Sequence, residues 1–217
     1  AADCMLYLRD AEDWKRYWHL SGSRFQPEVG DAYAICYAVD LTMQARELDE
    51  LNEKSLRDAL TGAYNRRIMP VFEQRLGKDA SWAVIIIDMD HFKQINDVYG
   101  HLVGDTVLHD IAAQVIGALR ASDRLGRFGG EEFVAVLPAT DLAAAVAVAE
   151  RVVASVRSLP VLPDRPRCTV SVGVAAVQAG DARFDQVLGR ADAALYLAKN
   201  RGRDQVAIHA SAAPVFE

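Results

Sequence analysis

The stretches "AVIIIDMD", ending in Asp88 and Asp90, and "RFGGEEF", holding Glu131 and Glu132, put acidic side chains directly beside apolar runs. A strand buried on both faces leaves the core where its first charged residues stand. Carboxylate oxygens gathered there are hard ligands suited to Mg²⁺. Singly, each stretch has a plainer reading: an Asp after a strand often caps a helix, and "GGEE" often makes a polar surface turn. The two together point to chemistry. Gly129 and Gly130 read as the two-residue turn of a β-hairpin, because paired glycines accept the positive φ values such turns require. Glu131 then stands at the hairpin tip, and if the hairpin pairs beside the "AVIIID" strand, Glu131 and Asp88 converge. The bare glycine backbone leaves room for a phosphate chain against the turn. Two carboxylates holding Mg²⁺ against phosphates form an arrangement for nucleotidyl transfer.

The elements that must position these residues alternate from Asp58 onward. "RRIMPVFEQRL" places Ile68, Val71, Phe72 and Leu76 on one helical face, "WAVIIID" is a fully buried strand, and "DTVLHDIAAQVIGALR" repeats Val107, Leu108, Ile111, Val115 and Leu119 at helical spacing. A short strand pair over Arg124 to Leu137 follows, then a helix from Leu142 to Val156, the strand "CTVSVGVAAV", a helix around Phe184 to Ala198 and the strand "QVAI". The expected fold class is α/β (α+β): one mixed sheet of about five strands flanked by helices. Upstream, "LTMQARELDELNEKSLRDA" lacks Gly and Pro and reads as a connecting helix. Its heptad candidates share Leu41, Leu48 and Ser55, completed by Gln44 and Leu51 or by Ala45 and Asn52, so a short parallel coiled coil and a solvated linker both remain open. The expected organisation is an N-terminal segment 1–40, a linker helix 41–57, a catalytic domain 58–209 and a tail 210–217.

The 217 residues are 51% hydrophobic and 25% charged, with a formal charge of −6. That balance argues against a protein that coats nucleic acid or an anionic membrane, since such partners select for excess Lys and Arg. No apolar run reaches the ~18 residues of a membrane span. Cys4, Cys36 and Cys168 form no C-x-x-C pair and read as free thiols of a reducing cytoplasm.

The segments "DALTGAYNRR", "IIIDMDHFKQINDVYGHLVGD", "RFGGEEF", "VSVGVA" and "ADAALYLAKNRGRD" stand in an order and spacing that resemble the GGDEF family of diguanylate cyclases, in its GGEEF form. The resemblance implies a palm-like nucleotidyl cyclase fold behind a signalling helix. It implies that each domain binds one GTP with two Mg²⁺ ions, Mn²⁺ being an alternative, and that a homodimer joins two GTPs into cyclic di-GMP. Asp88 and Glu131 match the metal ligands, with the Met89 carbonyl assisting, and Glu131 is the candidate to help deprotonate the ribose 3′-hydroxyl. Asn96 and Asp105 match the guanine-reading pair. Backbone at His91 and Phe92, with Lys93, Lys199 and Arg203, matches the phosphate contacts beside Gly129 and Gly130. Departures are mild: Ala63 stands where Leu is usual, and Asp204 where Asn often follows the final "GR".

Arg120 and Asp123 match the family's R-x-x-D product-binding inhibitory site, and Arg151 its additional arginine. An isolated R-x-x-D is more often a helix-end ion pair. "AICYAVDLTMQARELDEL" is similar to the last strand of a PAS sensor domain running into its exit helix, so residues 1–40 read as a partial sensor tail. The rival reading of the whole is a catalytically silent receptor for GTP or cyclic di-GMP, which the intact Asp88, Glu131, Asn96, Asp105 and Lys199 disfavour.

Overall fold

In this computed structural model, residues 2–9, 15–25, 30–76, 81–161, 166–181 and 183–209 are described. The expected tail 210–217 lies outside them. The chain divides into two units between Ser55 and Leu56. In the first, β1 (Ala2–Arg9), β2 (Lys15–Phe25) and β3 (Tyr33–Asp40) form an antiparallel sheet in that order, followed by α1 (Thr42–Ser55). The Asp-Leu-Thr sequence makes the corner: the Thr42 N–H donates to the Asp40 carboxylate at 2.9 Å, and the Leu41 N–H to the Tyr17 carbonyl at 2.8 Å. This start is an Asx-type cap, which satisfies an N–H that the helix itself cannot. Met43, Leu48 and Leu51 are exposed on α1.

The second unit begins with β4 (Tyr64–Asn65), a 3₁₀ turn (Arg66–Ile68) and α2 (Met69–Leu76). Then come β5 (Trp82–Met89), α3 (Phe92–Tyr99), α4 (His101–Ala118), β6 (Arg124–Arg127) and β7 (Glu132–Pro138). It closes with α5 (Leu142–Arg157), β8 (Val170–Ala176), α6 (Phe184–Asn200) and β9 (Val206–Ile208). The sheet order is β4-β6-β7-β5-β8-β9, with β5 antiparallel to both β7 and β8. The five strands expected from the sequence are present. The sixth, β4, is only two residues long and pairs parallel to β6, too short to leave a period-2 signature.

β5 reads as a continuous apolar run because both faces of the sheet are covered. Ile85 and Ile87 face a core shared with α3, α4 and α5, and Val84 and Ile86 face one shared with α6, Ile68 and Phe72. The side chains of Val71 and Leu76 lie outside the described set. α6 lies so close to β8 that a Cβ on Gly173 would stand 2.1 Å from the Ala191 carbonyl oxygen, so only glycine allows this approach. Among the described residues, no helix is long and apolar enough to cross a membrane.

Candidate active site

The acidic residues meet where β5 and β7 end together. In the antiparallel register Asp88 stands opposite Glu132, so their side chains share one face. The Met89 N–H donates to the Glu131 carbonyl at 3.2 Å, which ties the turn to the end of β5. Asp88 is 13% exposed, and Lys199, reaching from the last turn of α6, contacts its Oδ2 at 2.9 Å. Burial pushes the Asp88 carboxyl above the ordinary aspartate range, against the pull of Lys199. Burial likewise raises Glu131 and Glu132, and the charge of Asp88 adds to both shifts. The site thus concentrates negative charge that only Lys199 and more distant cations offset.

The glycine turn corrects the expectation about its conformation. Neither Gly129 nor Gly130 has a positive φ, so the reversal is not the two-residue turn that would demand it. It is wider: the N–H groups of Phe128 and Gly129 both reach the Glu132 carbonyl, at 2.8 and 3.3 Å. Arg127 braces it from inside, donating through Nη2 to the Gly130 carbonyl at 2.7 Å and through Nη1 to Asp58 at 3.1 Å. Asp58 also holds the Thr61 N–H and hydroxyl, at 2.9 and 2.6 Å. The "DALTG" segment is therefore a compact turn that carries a carboxylate to Arg127. A side chain at Gly130 would meet nothing within 4 Å, so space beside the turn is open.

Past β5, His91 adopts a left-handed conformation, φ 58° and ψ 25°, and turns the chain into α3. No side chain caps this helix start, so its first N–H groups, at Phe92 and Lys93, are available to an acceptor. Asn96 on α3 packs directly against α4 because Gly104, the residue before Asp105, has no side chain: a Cβ there would lie 1.8 Å from the Asn96 Oδ1. Arg203 stands close enough for its charge to act on Asp88.

Asp90 takes a different part from Asp88. It is buried, and its carboxylate accepts from the Thr169 and Ser171 hydroxyls at 2.7 Å each and from the Asp204 N–H at 3.0 Å. With its acceptors occupied it is a structural pin between β5, β8 and the turn after α6. Sequence reasoning assigned nothing to Asp58, Arg127, Gly104 or Glu132. Only the strand register and the helix approach distinguish them from ordinary turn and surface residues.

A second constellation lies at the start of β6. Asp123 is buried and accepts the backbone N–H of Arg120 at 2.8 Å. The ion pair of the plainer reading is not formed, and the Arg120 guanidinium has no partner among the described residues. Both residues line a cavity of about 360 Å³ with Arg57, Tyr64, Ile116 and Leu125, where the Arg57 guanidinium sits 3.8 Å from the Tyr64 ring centroid. Arg151 donates to the Ala118 carbonyl at 2.9 Å, at the end of α4, and does not line that cavity.

Solved structures with the same fold include the coiled coil and GGDEF domain of DgcB from Caulobacter crescentus in complex with c-di-GMP. It superposes with a TM-score of 0.69 at 27% identity, over 77% of this chain and 92% of that one. The active GGEEF domain of a diguanylate cyclase from Vibrio cholerae gives 0.64 at 31% identity, over 69% and 99%. The family model for "Diguanylate cyclase, GGDEF domain" matches residues 55–205, and the chain belongs to that family. Diguanylate cyclase DgcM of Escherichia coli is 40% identical over 182 residues, which is 82% of this chain and 44% of that protein. The response regulator PleD of Caulobacter vibrioides is 40% identical over 73% of this chain and 37% of its own length. The chain thus spans less than half the length of these curated relatives.

Proposed function

We propose that this chain is an active diguanylate cyclase that condenses two GTP into cyclic di-GMP and releases two pyrophosphates. The observation that carries this reading is the cluster of Asp88, Glu131 and Lys199 at the adjoining ends of β5, β7 and α6, within a chain of the GGDEF family.

Asp88, Glu131 and the Met89 carbonyl would hold Mg²⁺, or Mn²⁺ in its place. The donors fit: they are hard oxygens, and burial raises both carboxyls, with the charge of Asp88 adding to the rise at Glu131. Among the described residues, no group of three or more His, Cys, Asp or Glu side chains closes a cage. One or two carboxylates completed by substrate phosphates is the manner in which Mg²⁺ is usually held. When bound, the ion supplies charge neutralisation at the phosphates and acidifies a coordinated hydroxyl.

The chain's own groups do the rest. The N–H groups at the start of α3, with Lys93, Lys199 and Arg203, hold the β- and γ-phosphates beside the open turn of Gly129 and Gly130. Asp105 accepts from the N1 and N2 donors of guanine and Asn96 satisfies the neighbouring edge, whereas adenine would leave the carboxylate unpaired. Glu131 takes the proton from the 3′-hydroxyl as the new 3′-O–P bond forms and the bond from the α-phosphorus to pyrophosphate breaks. The attacking hydroxyl belongs to the GTP of a second copy, so the reaction requires a symmetric homodimer with its half-sites aligned in line. Arg120 and Asp123 would bind the product, with Arg151 contributing from a partner domain. The antiparallel sheet and helix of residues 2–55 support the reading of a sensor tail of PAS type.

The test is to incubate the purified chain with GTP and Mg²⁺ and separate the nucleotides. Cyclic di-GMP should appear, and Glu131→Gln should abolish it while the protein stays folded. Tight GTP binding without turnover would instead assign the silent receptor.

A further inference from the structure

The end of α6 is held in an unusual backbone conformation by a residue with no role in the chemistry above. After the helix, Gly202, Arg203 and Asp204 have φ values of 111°, 63° and 49°. The Arg203 N–H closes back on the Ala198 carbonyl at 3.1 Å, the six-to-one bond of a Schellman ending with glycine at its left-handed position. A glycine there is ordinary. Two further left-handed residues carrying side chains are not, and such a run persists only where contacts impose it.

Those contacts converge on Asp204. Arg157, the last residue of α5, donates its Nε–H to Asp204 Oδ1 and Oδ2 at 2.8 and 2.9 Å, and its Nη2 to the Asp204 backbone carbonyl. On the other side the Asp204 N–H donates to Asp90 Oδ2 at 3.0 Å. Asp90 is itself pinned by Thr169 and Ser171 and lies one residue before the turn at His91. Every backbone polar group of Asp204 is therefore spoken for, and its carboxylate is gripped from α5.

We propose that Asp204 is a positioning residue: the chain Arg157–Asp204–Asp90 locks the turn after α6 so that Arg203 is presented to the triphosphate of the bound nucleotide. This rests on the proposed nucleotide site. It explains why aspartate can stand where asparagine often follows "GR": both tolerate the left-handed region, and both offer an oxygen to Arg157. The side chains of Arg157 and Asp204 are 46% and 33% exposed, and an ion pair so wet contributes little to overall stability. Its consequence belongs in substrate binding.

The experiment compares Asp204→Ala, Asp204→Asn and Arg157→Ala, each in the unmodified chain and in Arg203→Ala. Asp204→Ala and Arg157→Ala should raise KM for GTP about tenfold with kcat changed less than about threefold, while Asp204→Asn stays near the unmodified value. Neither effect should add to that of Arg203→Ala, because the lock acts through Arg203. Melting temperatures should stay close to that of the unmodified protein, and Arg157→Ala carries the test if Asp204→Ala does not fold. An unchanged KM, additivity with Arg203→Ala, or an asparagine variant as impaired as the alanine one would overturn the proposal.

Calorimetric binding of inorganic tripolyphosphate with Mg²⁺ separates this idea from the cyclase reading. If the unmodified chain binds tripolyphosphate but makes no cyclic di-GMP, weaker binding by Asp204→Ala upholds the lock and only the cyclase reading falls. Turnover indifferent to the lock variants sinks the lock alone. Absence of both turnover and tripolyphosphate binding sinks both.

Discussion

Gly104 sets how near Asn96 can come to α4, and so shapes the corner proposed to read the base by what it lacks. A methyl group 1.8 Å from the Asn96 Oδ1 cannot be accommodated, and the short amide must swing away before the helices part. Gly104→Ala should therefore lower kcat/KM for GTP at least about tenfold and narrow the preference over ATP, while the fold survives. Unaltered GTP preference in competition assays would show that Asn96 does not read the base. A second residue-scale consequence concerns pH. Asp88, Glu131 and Glu132 have folded values raised above their ordinary ones, all three by burial first, with the charge of Asp88 adding to the rise at the two glutamates and Lys199 pulling against it at Asp88. A raised carboxyl contributes stability below its unfolded pKa and loses it as pH rises through the folded value. In cation-free buffer the unmodified protein should thus lose stability upward from about pH 4.5, and Glu131→Gln should lose less. Added Mg²⁺ should reverse that ranking, because only the carboxylate gains a cation. Urea titrations across pH 4 to 8, with and without Mg²⁺, read both effects; parallel curves for the two proteins would rule out charge crowding at Glu131.

At the scale of elements, the turn carrying Glu131 is wide and braced rather than tight and strained. Arg127 links it to Asp58. Burial works to raise the Asp58 carboxyl, but the Thr61 hydroxyl and N–H and then Arg127 outweigh it, so the folded value lies below the ordinary one. That contribution is present above the unfolded pKa and fades as pH falls through the folded one. The other element with a functional consequence is α1. Leu48 and Leu51 are exposed on it and fall in one of the two heptad registers, suiting a parallel pairing of two copies. If α1 brings two catalytic units together, specific activity should rise with protein concentration. Leu48→Lys with Leu51→Lys should then lower activity at dilute concentration and leave it unchanged at high concentration. Sedimentation and rate measurements over the same dilution series check this, and activity per molecule that ignores both dilution and the substitutions refutes it.

For the whole molecule, the two constellations sit at opposite ends of β6, Asp123 just before it and Glu131 beyond its far end. Four residues of strand place them about 13 Å apart, so a ligand on Arg120 and Asp123 need not touch the phosphates of GTP. Inhibition by cyclic di-GMP should be non-competitive. Arg120→Ala should lose on the order of tenfold to a hundredfold in product affinity, the cost of one charged bidentate contact, while keeping its initial rate. Calorimetry with cyclic di-GMP, paired with progress curves, decides it. Unchanged affinity, or competition with GTP, would leave the cavity beside Arg120 without this role.

The sequence by itself determined the order of elements and where acidic residue types stand along it. Acidic side chains must appear where a doubly buried strand leaves its core, and long apolar periods mark the helices and strands that enclose them. Tertiary structure alone decided how those residues relate. Strand register set Glu132 opposite Asp88, although nothing local distinguishes it from Glu131. The wide turn at Gly129 and Gly130 depends on Arg127 and Asp58, far apart along the chain, so a reading of paired glycines as a tight turn missed it. Asp88 and Asp90 look equivalent two residues apart, yet Asp90 is saturated by Thr169, Ser171 and Asp204 while Asp88 faces Lys199. The two-residue β4 escaped notice because so short a strand is defined by its partner rather than by its own pattern. Local sequence carries periodicity and residue type; which donor meets which acceptor is settled by packing between distant segments, and that is where two neighbouring aspartates acquire different roles.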